Sequence, residues 1–277
     1  MNPLFALLRP ASWVKNLFIF APLFFAKDIF DTHKILVVIF SFFSFSLAAS
    51  FVYILNDYLD RETDRTHEKK KHRPIASGKV SGMEAFVIGA IALLFSVCIA
   101  TIFAPLTIPY IGVYIVVNIL YSIYLKHIAI VDIITVALFY LIRLIVGGVA
   151  ASVAVSSWII LCTTFVSLFL ITGKRIAELN QSINRKVLEQ YTGEFLHAIL
   201  IISSTVSIIS YSLYVVLVLN SNYAVYSIFL VMLGIMRYIY VVMTTHKSEY
   251  PERVILSDRV ILMSAGCWII LMYIVFY

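Results

Sequence analysis

The fold class predicted by this sequence is all-α, with helices that cross a membrane many times. Hydrophobic residues make up 62% of the 277 residues and charged residues only 13%, about half the charged fraction that is typical of soluble proteins. The mean hydropathy is +0.98. A chain this apolar cannot be covered by a solvated surface, so we expect most of it to lie in a bilayer. The length suits a single integral membrane domain, residues 1–277.

Apolar segments of nearly the right length for transmembrane helices occur nine times, since about 20 helical residues cross the hydrocarbon core. They are residues 17–30, 35–55, 85–103, 108–124, 131–151, 157–171, 196–219, 223–244 and 260–276. The first segment is short and is interrupted by Pro22. Residues 1–16, which contain Trp13, predict an N-terminal helix that lies in the membrane interface. The sequence thus predicts nine spans.

The distribution of positive charge predicts the orientation of these spans. All but four of the 21 Lys and Arg residues lie in the N-terminal segment or in the loops after the second, fourth, sixth and eighth spans. Such residues concentrate in cytoplasmic loops. We therefore expect a multi-pass protein of the cell inner membrane, with a cytoplasmic N-terminus and its chemistry on the cytoplasmic side. No signal peptide is expected at the N-terminus.

Two global features of the composition carry little functional information. The formal net charge of +6 is expected to reflect topology and phosphate chemistry rather than nucleic-acid binding. Cys98, Cys162 and Cys267 are isolated within apolar runs, without metal-ligand spacing. Buried packing is the expectation for all three thiols.

The second span ends in a cluster of carboxylates, residues 56–65 with the sequence NDYLDRETDR. On a continuous helix, Asp57, Asp60 and Asp64 share one face. Carboxylates so close together repel each other unless a cation lies between them, and hard oxygen ligands suit Mg²⁺, which commonly bridges to substrate phosphates. Asn56 would complete the ligand set. The alternative is a solvated acidic turn that is neutralised by its own arginines.

A basic segment follows these carboxylates. Lys69–Lys71 and Arg73 are cations of the kind that phosphate binding requires. Pro74 is expected to stop the helix and Gly78 to permit a turn, which would fold the segment back over the carboxylates. Residues 56–84 are therefore the predicted cytoplasmic active-site loop. The alternative for the lysines is a topological signal or contact with anionic lipid.

Two other polar sequences end spans on the same predicted side. Residues 121–126, which start with Tyr121 and end with Lys126, are followed by Asp132; the alternative here is an interfacial tyrosine belt with a lysine that reaches the interface. Residues 173–178, with the sequence GKRIAE, include a lysine and a glutamate four positions apart. Either Lys174 and Glu178 simply pair with each other, or Lys174 and Arg175 form an anion clamp.

Arg143 lies in the middle of the fifth predicted span. A charge within a span is costly and indicates function by default, with an acidic partner or a bound phosphate as its counterion. Gly147–Gly148 would let a neighbouring helix approach closely. Arg237 is a weaker case that pairs internally or reaches the interface, and Asp258–Arg259 is open to interpretation as a local ion pair.

The sequence Asn56-Asp57-x-x-Asp60-x-x-x-Asp64 resembles the first signature of the UbiA superfamily of intramembrane prenyltransferases. The resemblance implies a bundle of nine helices, with a Mg²⁺–diphosphate site at its cytoplasmic mouth and a lipid channel between helices. Members of the superfamily usually carry a second motif, Asp-x-x-x-Asp, after the sixth helix. This chain departs from that pattern, because the corresponding position holds residues 173–178, with the sequence GKRIAE, instead of two aspartates.

More of the chain is similar to one branch of the superfamily, the polyprenyl-phosphate phosphoribosyltransferases. The similar stretches are residues 9–16, 56–77, 141–148, 173–178 and 251–259. The resemblance implies transfer of 5-phosphoribosyl from phosphoribosyl diphosphate to a decaprenyl-type polyprenyl phosphate, which gives polyprenyl-phosphoryl-5-phosphoribose and diphosphate, a precursor of cell-wall arabinan. Lys174 and Arg175 would then supply ligands for the extra phosphates of these substrates.

Candidate site residues follow from this resemblance and from the placement of charge. The candidate metal ligands, for Mg²⁺, are Asn56, Asp57, Asp60 and Asp64. The candidate catalytic residues are Asp57, Asp60 and Lys174. The candidate substrate ligands are Lys15, Asn16, Arg73, Tyr121, Lys126, Arg143, Arg175 and Glu178.

Other classes of function remain open. A UbiA-type prenyltransferase that moves a prenyl group from its diphosphate to an aromatic or other acceptor would keep the same fold. A lipid or ion transporter would use Arg143 and Asp132 as a relay, although the charges cluster on one side and no inverted repeat is visible. A membrane-anchored scaffold leaves the carboxylates unexplained. The expected partners are phosphoribosyl diphosphate, polyprenyl phosphate and membrane lipids, without nucleic acid; homo-oligomer formation is left open.

Overall fold

The computed structural model describes residues 3–67, 70–180, 186–244, 254–255 and 257–277, and all regular secondary structure in these ranges is helical. The α-helices are α1 (Pro3–Leu7), α2 (Ala21–Phe25), α3 (Thr32–Leu59), α4 (Arg61–Thr66), α5 (Gly82–Phe103), α6 (Ile108–Ile123), α7 (Val131–Ala151), α8 (Ser157–Asn180), α9 (Gly193–Tyr214), α10 (Tyr226–Thr244) and α11 (Arg259–Phe276). The 3₁₀ helices are Pro10–Phe20, Lys70–His72, Pro105–Thr107, Leu125–His127 and Lys186–Gln190, and Val215–Leu219 is a π-helical turn. The all-α prediction is confirmed for these ranges.

Eight helices within the described ranges are long and apolar enough to cross a membrane: α3 and α5 to α11. They correspond to the last eight predicted spans, and seven of them agree closely with the predicted bounds. The eighth, α8, continues well past Ile171, where the hydropathy signal stops, and ends at Asn180. It continues because its polar residues Arg175 and Glu178 are buried and paired with each other.

The prediction of a single helix over residues 17–30 is wrong. The described chain forms the 3₁₀ helix Pro10–Phe20 and then α2, which ends at Phe25. Prolines at positions 10 and 22 lack the N–H that continues an α-helical hydrogen-bond ladder, and Lys27 has a φ of 64°. A ninth span is therefore not confirmed, and the predicted interfacial helix is reduced to the short α1.

The distribution of buried and exposed side chains is the one expected in a bilayer. Large apolar residues such as Ile102 and Phe229 are about two-thirds exposed, at 70% and 67%. Serines are buried instead, and the Ser44 hydroxyl donates to the carbonyl oxygen of Ser96 at 2.8 Å between α3 and α5. Lipid tails are as apolar as leucine, so outward apolar faces cost nothing there. The chain is a multi-pass membrane protein.

The predicted burial of the cysteines is wrong for two of the three. Cys98 and Cys267 are exposed, Cys162 is partly buried, and all three are free thiols. Hydropathy does not determine which face of a membrane helix a small apolar side chain occupies, because lipid and protein core are similarly apolar.

The chain divides into two compact units. Unit 1 contains residues 1–126 and 142–155, and unit 2 contains residues 127–141 and 156–277, so that the boundary falls within α7. In unit 1, α3 packs along α5, and both α6 and the 3₁₀ helix Pro10–Phe20 pack against α3. In unit 2, α8 packs along α9, and α10 packs along α11. Each functional cluster below lies within one unit.

Glycines allow close packing inside each unit. A Cβ on Gly147 would lie 2.0 Å from the carbonyl oxygen of Ile19, so the backbone of α7 touches the 3₁₀ helix directly. This confirms the close approach predicted for Gly147. In unit 2, a Cβ on Gly173 would lie 2.8 Å from the ring of Tyr238 on α10, so glycine at that position brings α8 and α10 together.

Candidate active site

The three predicted carboxylates lie at a helix break in unit 1. Asp57 is on the last turns of α3, Asp60 is the residue between α3 and α4, and Asp64 is on α4. The backbone of Asp60, with φ −90° and ψ 3°, interrupts the helix. The prediction of one continuous helical face is therefore wrong. Asp57 and Asp64 are buried, whereas Asp60 is partly exposed.

Cationic side chains neutralise these carboxylates. Arg73 bridges two of them, since its Nη1 donates to Oδ1 of Asp57 at 3.0 Å and to Oδ2 of Asp64 at 2.5 Å. Arg9 also donates to Oδ1 of Asp57. The Nζ of Lys126 donates to Oδ1 of Asp60 at 2.5 Å. The structure therefore brings the predicted residues Arg73 and Lys126 to the predicted carboxylates.

The return of the basic segment to α3 has an apolar cause. Ile75 and Val80 are buried in a small cluster with Leu7 and Ile54, and Gly78 has the positive φ, 74°, that the turn requires. The predicted fold-back over the carboxylates is confirmed. The expected role of the proline at position 74 is wrong, because α4 already ends at Thr66.

The burial of this cluster affects its proton affinity. Burial raises the pKa of Asp64 above its ordinary value, and Arg73 acts in the opposite direction. A buried carboxylate stays ionised only where it is paired and hydrogen-bonded. Arg73 therefore opposes the effect of burial on the pKa of Asp64 and favours the ionised form of this carboxylate.

The donor set of unit 1 fits Mg²⁺ in its chemistry. Carboxylate and amide oxygens are the hard ligands that Mg²⁺ prefers, and the ion is usually held by one or two carboxylates together with substrate phosphates. Asn56 is partly exposed beside Asp57 on α3. Among the described residues, no three acidic, His or Cys side chains converge as a metal cage would require. The carboxylates and Asn56 thus offer oxygen ligands of the kind that Mg²⁺ prefers.

Arg143 is buried within unit 1 among polar and aromatic groups. Its Nε donates to Oδ1 of Asn16 at 2.8 Å, and its Nη2 donates to the Tyr114 hydroxyl at 3.3 Å. Its guanidinium lies 5.1 Å from the ring centroids of both Phe45 and Tyr114, a favourable arrangement for a cation. The amide nitrogen of Asn16 in turn donates to the Ser46 hydroxyl. Two of the predicted site residues, Asn16 and Arg143, are thus in direct contact.

Two further predicted residues of unit 1 occupy intermediate positions. Lys15 precedes Asn16 on the 3₁₀ helix and is partly buried. Tyr121 is partly buried on the last turn of α6, close in sequence to Lys126. Their predicted contacts with substrate stay predictions.

In unit 2, Arg175 lies between two carboxylates. Its Nε donates to Oδ2 of Asp132 at 2.8 Å, and its Nη1 donates to Oε2 of Glu178 at 2.5 Å. All three residues are buried. Lys174 is different, because 30% of its side chain is exposed and its Nζ lies 3.8 Å from Oε1 of Glu178. The predicted pairing of Lys174 with Glu178 is present but loose.

Tyr191 completes this cluster. Its hydroxyl donates to Oδ1 of Asp132 at 2.5 Å and accepts from the N–H of Ile130 at 2.6 Å. Burial raises the pKa of Tyr191, and the hydrogen bond to Asp132 raises it further. The phenol therefore stays protonated and acts as a donor at all ordinary pH values.

Arg237 pairs internally, as one of its two interpretations predicted. Its Nη2 lies 3.0 Å from Oδ2 of Asp258. Asp258 also caps α11 by accepting from the N–H groups of Val260 and Ile261. The hydrogen bond from Arg237 lowers the pKa of Asp258. Asp258 thus pairs with Arg237 rather than with its neighbour in sequence.

Two parts of the predicted site, Lys69 and residues 251–253, lie outside the described residues.

Sequence reasoning missed two residues of these clusters. Arg9 precedes a proline and has a φ of 49°; it lies in residues 9–16, one of the stretches that carry the resemblance, but nothing in the sequence indicates its contact with Asp57. Tyr191 is one of 17 tyrosines and carries no motif. Nothing in the sequence distinguishes it from the others.

The chain belongs to the UbiA prenyltransferase family, whose model matches residues 16–256. Within the family, similar proteins from two groups of bacteria carry the same name, decaprenyl-phosphate phosphoribosyltransferase. The one from Mycobacterium tuberculosis is 35% identical over 273 residues, which cover 95% of this chain and 90% of that protein. The one from Corynebacterium glutamicum is 35% identical over 276 residues, which cover 95% of this chain and 83% of that protein.

Solved structures of the family show the same fold. A UbiA homologue from Archaeoglobus fulgidus bound to DMAPP and Mg²⁺ superimposes with a TM-score of 0.75 at 18% identity, over 99% of each chain. The apo structure of a UbiA homologue from Aeropyrum pernix has a TM-score of 0.64 at 14% identity, over 97% of each chain. At these identities the comparison establishes the fold alone.

Proposed function

We propose that this protein transfers 5-phosphoribosyl from phosphoribosyl diphosphate to a decaprenyl-type polyprenyl phosphate in the presence of Mg²⁺. The products are polyprenyl-phosphoryl-5-phosphoribose and diphosphate, and the lipid product would serve as a precursor of cell-wall arabinan. The observation that carries the proposal is the end-to-end similarity, at 35% identity, to proteins named for this activity. The whole chain, residues 1–277, would form one transferase domain.

The carboxylates of unit 1 would hold the donor. Asp57, Asp60 and Asp64, with Asn56, supply the oxygen ligands that Mg²⁺ prefers. Bound Mg²⁺ would neutralise the charge that develops on the leaving diphosphate. The chain's own contribution is to fix these oxygens in place, which the buried positions of two of the carboxylates support.

Cations of unit 1 would bind the phosphates. Arg9, Arg73 and Lys126 already lie within hydrogen-bonding distance of the carboxylates. They are therefore positioned to contact a diphosphate that the same carboxylates bind through a metal. Arginine suits this role because its planar fork of donors matches phosphate oxygens.

The transfer itself requires one bond to form and one to break. A phosphate oxygen of the polyprenyl phosphate attacks C1 of the ribose on the face opposite the diphosphate. The bond from C1 to the diphosphate oxygen breaks, and its electron pair leaves with the diphosphate. The attacking phosphate is largely ionised at pH 7, so no side chain has to act as a strong base. The protein contributes by orienting the two substrates and stabilising charge.

Membership of the UbiA prenyltransferase family supports a second candidate, prenyl transfer from a prenyl diphosphate to an aromatic or other acceptor. A 4-hydroxybenzoate octaprenyltransferase from Shewanella piezotolerans also matches, at 35% identity, but over only 24% of this chain. Residues 173–178 favour the first candidate, because they carry a partly exposed lysine where a second acidic motif would bind a second metal ion.

A donor-choice assay separates the two candidates. Purified protein in detergent receives Mg²⁺, polyprenyl phosphate and 4-hydroxybenzoate, with label on either phosphoribosyl diphosphate or a prenyl diphosphate. We expect lipid-linked label from the phosphoribosyl donor, abolished by Asp57→Asn and by Asp60→Asn. Glu62→Gln is the control, since Glu62 is an exposed carboxylate on the first turn of α4 that pairs with Arg61 and Arg65. Label transferred only from the prenyl donor would overturn the proposal.

A further inference from the structure

A chain of hydrogen bonds in unit 2 begins at a strained turn. Ile130 has a φ of 68°, in the left-handed region that a β-branched residue rarely adopts. Its N–H donates to the Tyr191 hydroxyl, which donates to Asp132. The side chain of Gln190 binds the same turn twice, at the carbonyl of His127 and the N–H of Ala129. Backbone strain of this kind persists only where the surroundings fix it.

The chain of contacts continues from Asp132 to the surface. Arg175 joins Asp132 to Glu178, and Glu178 is the partner of Lys174. The first three of these residues are at most 3% exposed. Lys174 is therefore the point at which the buried network reaches the surface of the protein.

The charges of the network explain why Arg175 and Lys174 differ in their ability to bind a ligand. Asp132 and Glu178 bear two negative charges, and Arg175 directs two of its nitrogens at them from a position that is 1% exposed. Moving Arg175 towards a ligand would leave two buried carboxylates without that partner, which is strongly unfavourable. Lys174 differs from Arg175 because 30% of its side chain is exposed, so that a ligand can reach its ammonium, which lies 3.8 Å from Oε1 of Glu178.

We propose that Tyr191, Asp132, Arg175 and Glu178 are positioning residues that hold Lys174 ready to bind a phosphate monoester. The inference rests on the proposed function, and it replaces the phosphate contact that the sequence predicted for Arg175. Both substrates offer this group: the 5-phosphate of the donor and the head group of the acceptor, each with nearly two negative charges at neutral pH. A supporting set of buried, hydrogen-bonded residues is what a precisely placed ligand requires.

A double-mutant cycle tests the inference. KM is measured for phosphoribosyl diphosphate at saturating polyprenyl phosphate, and then for the acceptor at saturating donor, in wild type, Lys174→Ala, Tyr191→Phe and the double variant. We expect Tyr191→Phe to raise one KM by about tenfold, because the N–H of Ile130 and a carboxylate oxygen of Asp132 both lose their partner, with kcat little changed. In the Lys174→Ala background, Tyr191→Phe should not raise that KM any further. The KM that rises identifies which phosphate Lys174 binds.

Tyr211→Phe is the matched control. Tyr211 is another buried tyrosine of unit 2, and its hydroxyl contacts Ser227 and Trp268 instead. Its loss should leave both KM values unchanged. Glu178→Gln provides a second probe, which keeps the side-chain size, removes the charge beside Lys174 and should also raise the same KM only when Lys174 is present.

Additive effects would contradict the inference. If Tyr191→Phe or Glu178→Gln raises KM equally with and without Lys174, or if Tyr211→Phe has the same effect, the network is structural and does not act through Lys174. If the wild-type protein transfers no phosphoribosyl group, the proposed function fails and the inference falls with it. Active wild type with an additive cycle overturns the inference alone.

Discussion

Arg73 is the residue that joins the acidic helix end to the basic segment in unit 1. It contacts Asp57 and Asp64 through the same nitrogen, and both carboxylates are buried. Without Arg73, two like charges would remain close together in a poorly solvated place. The loss of one partner from a buried ion pair is more costly than the net contribution of the pair itself.

We predict that Arg73→Met lowers the stability of the folded protein by about 3 kcal/mol at neutral pH. Thermal unfolding in detergent, followed by intrinsic fluorescence, measures this as a fall in Tm. The loss should shrink as the pH falls. Burial holds the pKa of Asp64 above its ordinary value even in wild type, and removal of Arg73 raises it further. The folded variant then takes up a proton more readily than the unfolded chain, so its stability falls as the pH rises through that range.

Arg65→Met is the control for this prediction. Its side chain is 52% exposed, pairs with Glu62, an exposed residue, and donates to the carbonyl oxygen of Ala76 at a long 3.3 Å. Exposed ion pairs contribute less than about 1 kcal/mol, so the variant should unfold close to wild type at every pH. An equal loss for both variants would show that Arg73 is not a buried counterion.

At the residue scale, sequence patterns identify groups whose chemistry is unusual in its surroundings. Clustered carboxylates at the end of a span, a basic segment directly after them and an arginine in the middle of a span are all unusual in an apolar chain. Asp57, Arg73 and Arg143 were therefore predictable. Arg175 was predicted as a site residue, but its position between two buried carboxylates was not, because the carboxylate at position 132 is distant in the sequence. Tyr191 was unpredictable for a similar reason, since a common residue type becomes functional only through tertiary contacts.

At the scale of elements, hydropathy predicts helices well where the chain is long, apolar and free of proline. It succeeds for α3 and for the seven helices from α5 onwards. It fails for the single helix predicted over residues 17–30, where the chain forms the end of the 3₁₀ helix Pro10–Phe20 and then the short α2. It also ends α8 too early, because a hydropathy scale treats paired, buried charges as though they were solvated.

The contact between the 3₁₀ helix Pro10–Phe20 and α7 depends on one glycine. A Cβ on Gly147 would lie 2.0 Å from the carbonyl oxygen of Ile19. We predict that Gly147→Ala destabilises the protein by about 1–3 kcal/mol, the usual cost of overpacking, and that it lowers activity, because Asn16 on the displaced helix contacts Arg143. Tm and the transfer rate measure the two effects.

Gly112→Ala is the matched control for this substitution. Gly112 lies within α6, and nothing lies within 4 Å of an added Cβ. Alanine is favoured over glycine in a helix by about 1 kcal/mol, so this variant should be unchanged or slightly more stable. A harmless Gly147→Ala would contradict the close contact.

At the scale of the whole molecule, lysines and arginines predict which side of the membrane carries the chemistry. We predict that a cysteine at Lys71, in a background with Cys98, Cys162 and Cys267 replaced by serine, is labelled by a membrane-impermeant maleimide in inside-out vesicles and not in intact cells. A cysteine at Ser221, in the loop between α9 and α10, should show the opposite pattern. Labelling of position 71 from outside the cell would reverse the proposed orientation.

The most direct test of the central claim is the identity of the lipid product. Purified protein is incubated with phosphoribosyl diphosphate, decaprenyl phosphate and Mg²⁺, the lipid is analysed by mass spectrometry, and released diphosphate is measured in the same sample. We predict a lipid that has gained one phosphoribosyl group, with one diphosphate released for each, and neither product from Asp57→Asn. A lipid of unchanged mass in the wild-type reaction, with no diphosphate released, would contradict the proposed function.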